Sequence, residues 1–373
     1  SHKIIYFSLM SFLAAVYTYH SMRLIVPLFL LATIYLVRKD LVPLKKHLFL
    51  ALTTFAVLVL PVFTSLFSHQ ATSRFAGVGL LRDPGPLSRA EELRIQHLPS
   101  TSYPVRLLHN RIVEYSLRFF DNYTRHFSYN FLFVIGDEIQ RNKIPSMGLM
   151  YFFEIITVTF GLITLFKVQS KFSSVLFAWL ILSPLASALT FQSPHALRAQ
   201  NMIIPLTVIS AVGLRALLTR ITLLPKLCFY ALILWNLSFY LHQYYSHLAK
   251  TYPFSSQYGF KELIGFIKSR QNDFQNIVIT TRYDQPYVLT LFYLKYDPFT
   301  FQSQHELTAR DQYGFSTVTQ FGQFEFQPIV WVPGSLPPGT LVAAAPEELP
   351  SDAPVVKTIN FPNGQPAFRI LTI

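Results

Sequence analysis

The sequence predicts an α-helical polytopic membrane bundle of about seven spans, followed by an extracytoplasmic α/β domain. Three observations carry this expectation. The 373-residue chain is 51% hydrophobic and only 13% charged, where roughly 25% is usual in soluble domains. It holds several uncharged apolar runs close to the ~20 residues a helix needs to cross a bilayer. After the last run, near residue 245, the pattern changes to short strand-like and helix-like segments.

In order, the apolar spans fall at about 4–19, 23–37, 47–67, 147–166, 172–191, 202–218 and 221–241. They define membrane helices over 1–67 and 147–245, an extracytoplasmic loop over 68–146 and an outer domain over 250–373. Pro27, Pro61, Pro184 and Pro205 lie within spans, which membranes tolerate where neighbouring helices satisfy the freed backbone.

The net charge of +12 could suggest a nucleic-acid partner, but its placement argues against one. Loop 69–146 holds ten Lys/Arg against seven acids, and 250–373 holds nine against ten. The membrane-embedded remainder holds twelve against Asp40 and Glu154 alone. Lys3, Arg38, Lys39, Lys45, Lys46, Lys167, Lys171, Arg215, Arg220 and Lys226 cluster at alternate connections. With those connections cytoplasmic, Lys3 lies inside, and loop 68–146 and the C-terminal domain lie outside.

Arg23 and Arg198 break this bias, both at outer-face turns. Snorkelling or helix capping accounts for either one; an anion site on the outer face accounts for both. Arg198 and His195 share the short polar turn 193–201 between two apolar runs, and Tyr19 and His20 precede Arg23. Glu154, about two turns into its predicted span, either faces a functional cavity or pairs with a neighbouring polar group.

Within the long loop, Val105, Leu108, Ile112, Tyr115, Leu117, Phe119, Phe120 and Tyr123 recur near helical spacing, predicting an interfacial amphipathic helix between 104 and 133. Residues 131–141 then read as a short apolar strand ending in Asp137, Glu138 and Arg141, which are either a solvated loop face or part of the site. Prolines at 84, 86, 99 and 104 punctuate the loop. Asn122, Tyr123 and Thr124 fit a glycosylation sequon, a weak pattern.

The tail predicts a helix over 260–270, a strand over 276–281 and a helix after Pro286 over 287–296. Further strands are expected at 328–332, 355–360 and 367–373, with a Pro/Gly-rich linker over 333–354. Strand–helix alternation implies an α/β layer.

Several chemistries find no support. The chain has no HExxH, no GxSxG and no GxGxxG, and its single cysteine, Cys228, lies in an apolar run. What remains is a membrane-level site with Arg, His, Tyr and acid groups, suited to a substrate with a phosphate head and a lipid tail.

Tyr19, His20 and Arg23 before a span, Asp121–Tyr123, Gly136 with Asp137, Met147–Leu149 leading to Glu154, and His195–Arg198 together resemble the GT-C membrane glycosyltransferases. The likeness is to the bacterial protein O-mannosyltransferase/aminoarabinose-transferase-like group. Tyr258–Leu263, Gln285–Tyr287 and Phe292–Tyr296 resemble the outer domain of such proteins. The resemblance implies an integral protein of the bacterial plasma membrane. Its partners are the lipid bilayer, a polyprenyl-phosphate sugar donor and a lipid, glycan or protein acceptor. It implies no cofactor and leaves a divalent metal open. It assigns Arg23 and Arg198 to the donor phosphate, His195, Tyr19 and His20 to the pocket, and Asp137, Arg141 and Glu154 to ordering the loop or pocket. The family's catalytic acid lies in a first outer loop, expected upstream of this chain, which reads as the C-terminal portion of such an enzyme. The alternatives are a transporter or flippase for a lipid-linked or anionic substrate, and a non-catalytic membrane assembly subunit.

Overall fold

Residues 2–65, 77–97, 103–311, 315–332, 334 and 336–373 are described by a computed structural model. The chain divides into two units, Ser1–Tyr240 and Leu241–Ile373.

In the first unit, α1 (His2–Thr18) reverses through a tight turn into α2 (Met22–Leu41), with Met22 N donating to Tyr19 O at 3.1 Å. A short turn, Val42–Leu44, leads to α3 (Lys45–Ser65). Helices α1 and α3 run side by side in one direction, because Tyr6 meets His47 at 3.3 Å and Tyr17 donates to Leu58 O at 2.7 Å. Val16, Val26, Val59 and Val62 interlock between the three helices, while Phe7, Leu31 and Phe49 point outward. Large apolar side chains on the outside suit a surface facing lipid.

The loop that follows contributes α4 (Gly85–Ile95), α5 (Tyr103–Leu108) and α6 (Arg111–Arg125). The predicted amphipathic helix is therefore two helices, because Asn110 ends one and caps the next: its Oδ1 accepts from Ile112 N and Val113 N at 2.9 and 3.1 Å. Residues 98–102, including Pro99, and 66–76, including the end of the third predicted span, lie outside the described residues.

The predicted strand at 131–141 is instead a wide helical turn, Asn130–Val134, followed by a bend. The predicted span 147–166 is also corrected. Residues 147–153 are irregular and the helix α7 begins at Glu154 (Glu154–Val168). The backbone at 149–150 bonds to the 131–132 turn instead of coiling, with Met150 N donating to Leu132 O at 2.7 Å. Gly148 permits that approach, since a Cβ there would lie 2.4 Å from Leu132 O. Glu154 thus opens a helix and does not sit two turns inside one. Its carboxylate accepts from Tyr151 N at 2.9 Å and Ser210 Oγ at 3.2 Å, a structural pairing with backbone and hydroxyl.

Next come α8 (Lys171–Leu182), α9 (Leu185–Ala188), α10 (Ile203–Leu218) and α11 (Leu223–His242). Pro184 interrupts the fifth predicted span between α8 and α9. Helices α7 and α10 pack closely, Thr157 meeting Ser210 at 2.7 Å and Gly161 facing Gly213. Small residues at such a crossing are what lets two membrane helices approach. Asn236 of α11, buried, accepts from Phe152 N at 2.8 Å and so satisfies the irregular backbone before α7.

Four helical runs among the described residues are long and apolar enough to cross a membrane: Met22–Ser65, Lys171–Ala188, Gln200–Leu218 and Leu223–Thr251, with Lys3–Thr18 a shorter apolar helix. The first of these contains both α2 and α3. A helical bundle with membrane-length apolar helices is thus present.

The second unit opens with α12 (Leu248–Thr251) and carries a seven-stranded sheet. Its strands are β1 (Asn276–Thr280), β2 (Glu306–Leu307), β3 (Val318–Phe321), β4 (Phe324–Gln327), β5 (Thr340–Ala344), β6 (Val355–Asn360) and β7 (Pro366–Thr372), in the order β2-β3-β4-β1-β5-β7-β6. β1 pairs in parallel with β4 and β5, and the remaining pairs are antiparallel. Leu263, Ile264 and Ile267 of α13 (Phe260–Lys268) bury against the sheet; α14 (Pro286–Leu294) and α15 (Pro298–Gln304) complete the layer. The α/β expectation holds, with two corrections. Residues 328–332 form no strand, because the chain leaves the sheet at Pro328 after β4. β5 falls inside the predicted linker, of which 333 and 335 lie outside the described residues. All five of its residues are buried, and a strand covered on both faces shows no alternation to read.

Candidate functional site

The candidate site lies where the turn after α1 and the segment 190–202 meet, at one end of the first unit. Asp137 organises it. Gly136 enters with φ +75°, and a Cβ there would lie 3.1 Å from Met147 O, so a glycine is required. Asp137 is then wholly buried. Its Oδ1 accepts from Ile139 N at 2.9 Å, and Oδ2 accepts from Asn142 Nδ2 at 3.1 Å and Ala196 N at 2.7 Å. The last bond ties the 135–150 loop to the 193–201 turn. The carboxylate is no solvated loop face; three N–H donors hydrogen-bond to it in place of water.

Three side chains at the C-terminal end of α6, Asn122, Arg125 and His126, support the same turn. Asn122, fully buried, donates to Ala188 O and Thr190 O at 3.3 and 3.0 Å. His126, immediately after α6, is equally buried, with Nδ1 2.8 Å from Asn122 O. A carbonyl can only accept, so Nδ1 carries the proton and Nε2 accepts from Ser187 Oγ at 2.8 Å and His195 N at 3.3 Å. Arg125 donates to Ser193 O at 3.3 Å and pairs with Glu138 at 2.6 Å.

Burial lowers the His126 pKa to about 4 from 6.5, against a smaller opposing effect of its bond to Asn122 O. The folded value lies below the unfolded one, so its contribution is fully present above pH about 6.5 and is lost as pH falls toward 4. About 3 kcal/mol of stability should disappear over that window at ~1.4 kcal/mol per pH unit. Thermal melts of wild type and His126→Gln across the same pH series should show the variant lacking this component; parallel curves would contradict it.

Arg198 is half-buried, and its Nη1 donates to Thr190 Oγ1 at 2.8 Å and Gln192 O at 3.2 Å. Burial pulls its pKa below the ordinary value, opposed by nearby Tyr19 and Asp137. His195 is buried 3.7 Å from Asp137, too far for a hydrogen bond. Its pKa is lowered by burial first and by Arg198 second, with Asp137 opposing. Arg198, His195, Asp137 and Tyr19 are thus brought together. Arg23 sits on the first turn of α2 beside Met22, half-buried, without a recorded contact to Arg198. His20 is exposed on the preceding turn, Arg141 lies in the Gln140–Asn142 turn above Asp137's loop, and Glu154 serves α7 as described.

Several buried polar atoms at this end have no hydrogen-bond partner among the described residues: Ser21 Oγ, Arg23 Nε, Ser193 Oγ, His195 Nδ1 and both Asn201 side-chain atoms. Buried groups are ordinarily satisfied, so a cluster of orphans at the mouth of a bundle points to a ligand. Beside them lies a cavity of about 660 Å³, within the ~300–1,000 Å³ typical of small-molecule sites. It runs between Phe12, Phe29, Trp179, Met150 and Leu206, with Met22, Ala196 and Asn201 also on its wall. The cavity offers a slot for an apolar chain; Arg23, Arg198, His195, Tyr19 and His20 do not line it, but Met22, Ala196 and Leu197, their neighbours in the chain, do.

Sequence reasoning missed Asn122, His126 and Asn201 as site residues. Asn201 had a usable signal, a polar residue three positions after Arg198 at the threshold of an apolar run. Compared with known protein families, curated proteins and solved structures, the chain matches none.

Proposed function

We propose that this chain is a membrane glycosyltransferase of the GT-C type, moving a sugar from a polyprenyl-phosphate donor to a lipid, glycan or protein acceptor at the outer face of a bacterial plasma membrane. The observation that carries the reading is the unpartnered polar cluster beside a cavity with apolar walls. An amphiphile with an anionic head and a hydrocarbon tail satisfies both halves at once. The Lys/Arg distribution supports placing this end, loop 68–146 and the second unit outside.

In such a transfer the acceptor's lone pair attacks the anomeric carbon, the bond from that carbon to the phosphate oxygen breaks, and the acceptor's proton passes to the departing phosphate or to water. Negative charge grows on the departing lipid phosphate. The Arg198 guanidinium, with Arg23 from the neighbouring turn, stabilises that growing charge more than the ground state. His195, Tyr19 and His20 shape the head-group pocket. Asp137 is a positioning residue and not the base, because its oxygens are occupied by Ile139 N, Asn142 Nδ2 and Ala196 N. Arg141 and Glu154 order the loop and the helix behind it.

Transfer is tested with the full-length protein in nanodiscs, with a radiolabelled polyprenyl-phosphate mannose as probe donor, and binding with the purified chain. Geranylgeranyl phosphate, geranylgeraniol and inorganic phosphate serve as binding probes, read by the fluorescence of Trp179 in a background with Trp235 and Trp331 replaced by Phe. Geranylgeranyl phosphate should bind best, since only it fills both halves. Arg198→Ala should abolish transfer and weaken the lipid phosphate roughly tenfold to a hundredfold, the effect of losing a hydrogen bond to a charged group, while membrane insertion stays intact. Unchanged transfer by Arg198→Ala would overturn the assignment; lipid-phosphate movement across the bilayer without transfer would favour a flippase.

A further inference from the structure

Asn201 is a buried polar side chain that lines the cavity and lacks a partner among the described residues at each of its polar atoms. It is 8% exposed, and neither Nδ2 nor Oδ1 has a hydrogen-bond partner among the described residues. It sits in the Gln200–Met202 turn that starts α10, three residues after Arg198. A carboxamide offers two donors and an acceptor. To satisfy it, a ligand must bring an acceptor and a donor together to the same point of a largely apolar wall.

Building on the reading of the site as a lipid-phosphate pocket, we infer that the Asn201 carboxamide distinguishes the sugar-bearing lipid phosphate from the bare one. Phosphate oxygens accept from Nδ2 in either molecule. A sugar hydroxyl donates to Oδ1 only in the sugar ester. Once the sugar has left, an ionised lipid phosphate supplies acceptors alone and Oδ1 is orphaned again. The side chain therefore favours occupancy by the loaded donor and favours release of the spent lipid. The energetic basis is the asymmetry of hydrogen bonding, in which leaving one buried group unmade costs more than a typical bond contributes.

The same argument gives the residue a signature that a structural role lacks. Asn201→Leu replaces an unpartnered buried amide by an apolar group of similar size on an apolar wall. The ligand-free variant should therefore melt at the same temperature as wild type or higher, while its discrimination falls. The experiment measures geranylgeranyl phosphate and geranylgeranyl mannosyl phosphate binding in nanodiscs, by Trp179 fluorescence, for wild type, Asn201→Leu and Asn201→Asp. Wild type should prefer the mannosyl ester roughly tenfold, the equivalent of one orphaned buried group. Asn201→Leu should bind both probes alike. Asn201→Asp keeps the shape, presents acceptors only, and should weaken both.

A tenfold preference surviving in Asn201→Leu, wild-type binding by Asn201→Asp, or a clear drop in the melting temperature or folded yield of ligand-free Asn201→Leu would each overturn the inference. In those cases bare lipid phosphate still binds wild type, so the reading of the pocket stands. If neither probe binds wild type saturably, that reading fails and this inference fails with it.

Discussion

Replacing Gly213 by valine should abolish recovery of a folded, monodisperse chain. A Cβ at this position would lie 1.7 Å from Thr157 O, 2.5 Å from Gly161 N and 2.7 Å from Thr157 C. All three are backbone atoms of the facing helix, so no rotamer change relieves the overlap and α7 and α10 must separate. Separation breaks the Thr157–Ser210 hydrogen bond of 2.7 Å and the bond of 3.2 Å from Ser210 to Glu154. Glu154 then loses the contact that holds it against Tyr151 N. Overpacking typically costs ~1–3 kcal/mol, and each buried hydroxyl left unpaired adds ~1–3 kcal/mol. Domains have about 5–15 kcal/mol in total, so the sum removes most or all of it. Gly161→Val should behave alike, since a Cβ there would lie 2.0 Å from Ile209 O. Gly265→Ala is the contrast: nothing lies within 4 Å of its built Cβ, and alanine is the better helix former by ~1 kcal/mol. Size-exclusion profiles and melting temperatures of the three variants decide the matter; a wild-type melt for Gly213→Val would show that the helix pair is not the keystone argued here.

That helix pair also shows what the sequence could and could not disclose. The apolar runs behind α10 and α11 were readable because membrane length and absence of charge are local properties. The irregular stretch before α7 was not, because its backbone bonds run to Phe131 and Leu132 and to Asn236, partners far apart in the chain. Arg198 stood out by violating a charge bias that needs no structure to see. Asp137 was named as a loop-ordering residue through the family resemblance, since by itself a carboxylate between an isoleucine–glycine pair and a glutamate looks the same whether solvated or buried among three donors. His126 was hidden for a similar reason: it follows a strongly amphipathic helix and faces inward only because α9 and the 187–195 segment pack there. The cavity was out of reach altogether, as its walls come from α1, α2, α8, α10 and the 131–150 loop. In the second unit β1, β6 and β7 carried recognisable strand patterns. β5 did not, because burial on both faces removes the alternation that marks a strand.

Asp137→Asn is the prediction on which simple electrostatics and the architecture of the site disagree. Asp137 is the acid nearest to His195 and acts on the Arg198 guanidinium. If the pocket responded to net charge alone, removing a negative charge would strengthen the binding of a lipid phosphate. The geometry requires the opposite. Oδ2 accepts from both Asn142 Nδ2 and Ala196 N, and asparagine must place an NH₂ at one of the two oxygen positions. With the amide oxygen at Oδ1, two donors face the new donor; turned the other way, Ile139 N faces it. The second orientation keeps Asn142 Nδ2 and Ala196 N paired and leaves one backbone donor, Ile139 N, unmade, at ~1–3 kcal/mol. The bond from Ala196 N is the direct tie between the 135–150 loop and the turn that carries His195 and Arg198. Losing the Ile139 N bond loosens the turn that presents Oδ2 to Ala196 N, and with it the hold on the segment whose Arg198 bonds to Thr190 and Gln192. Geranylgeranyl phosphate should therefore bind Asp137→Asn more weakly than wild type, by up to roughly tenfold, with a melting temperature lowered by the equivalent of ~1–3 kcal/mol. Tighter binding by Asp137→Asn, with the melt unchanged, would mean that Asp137 is merely a nearby charge and that the turn holds its shape without it.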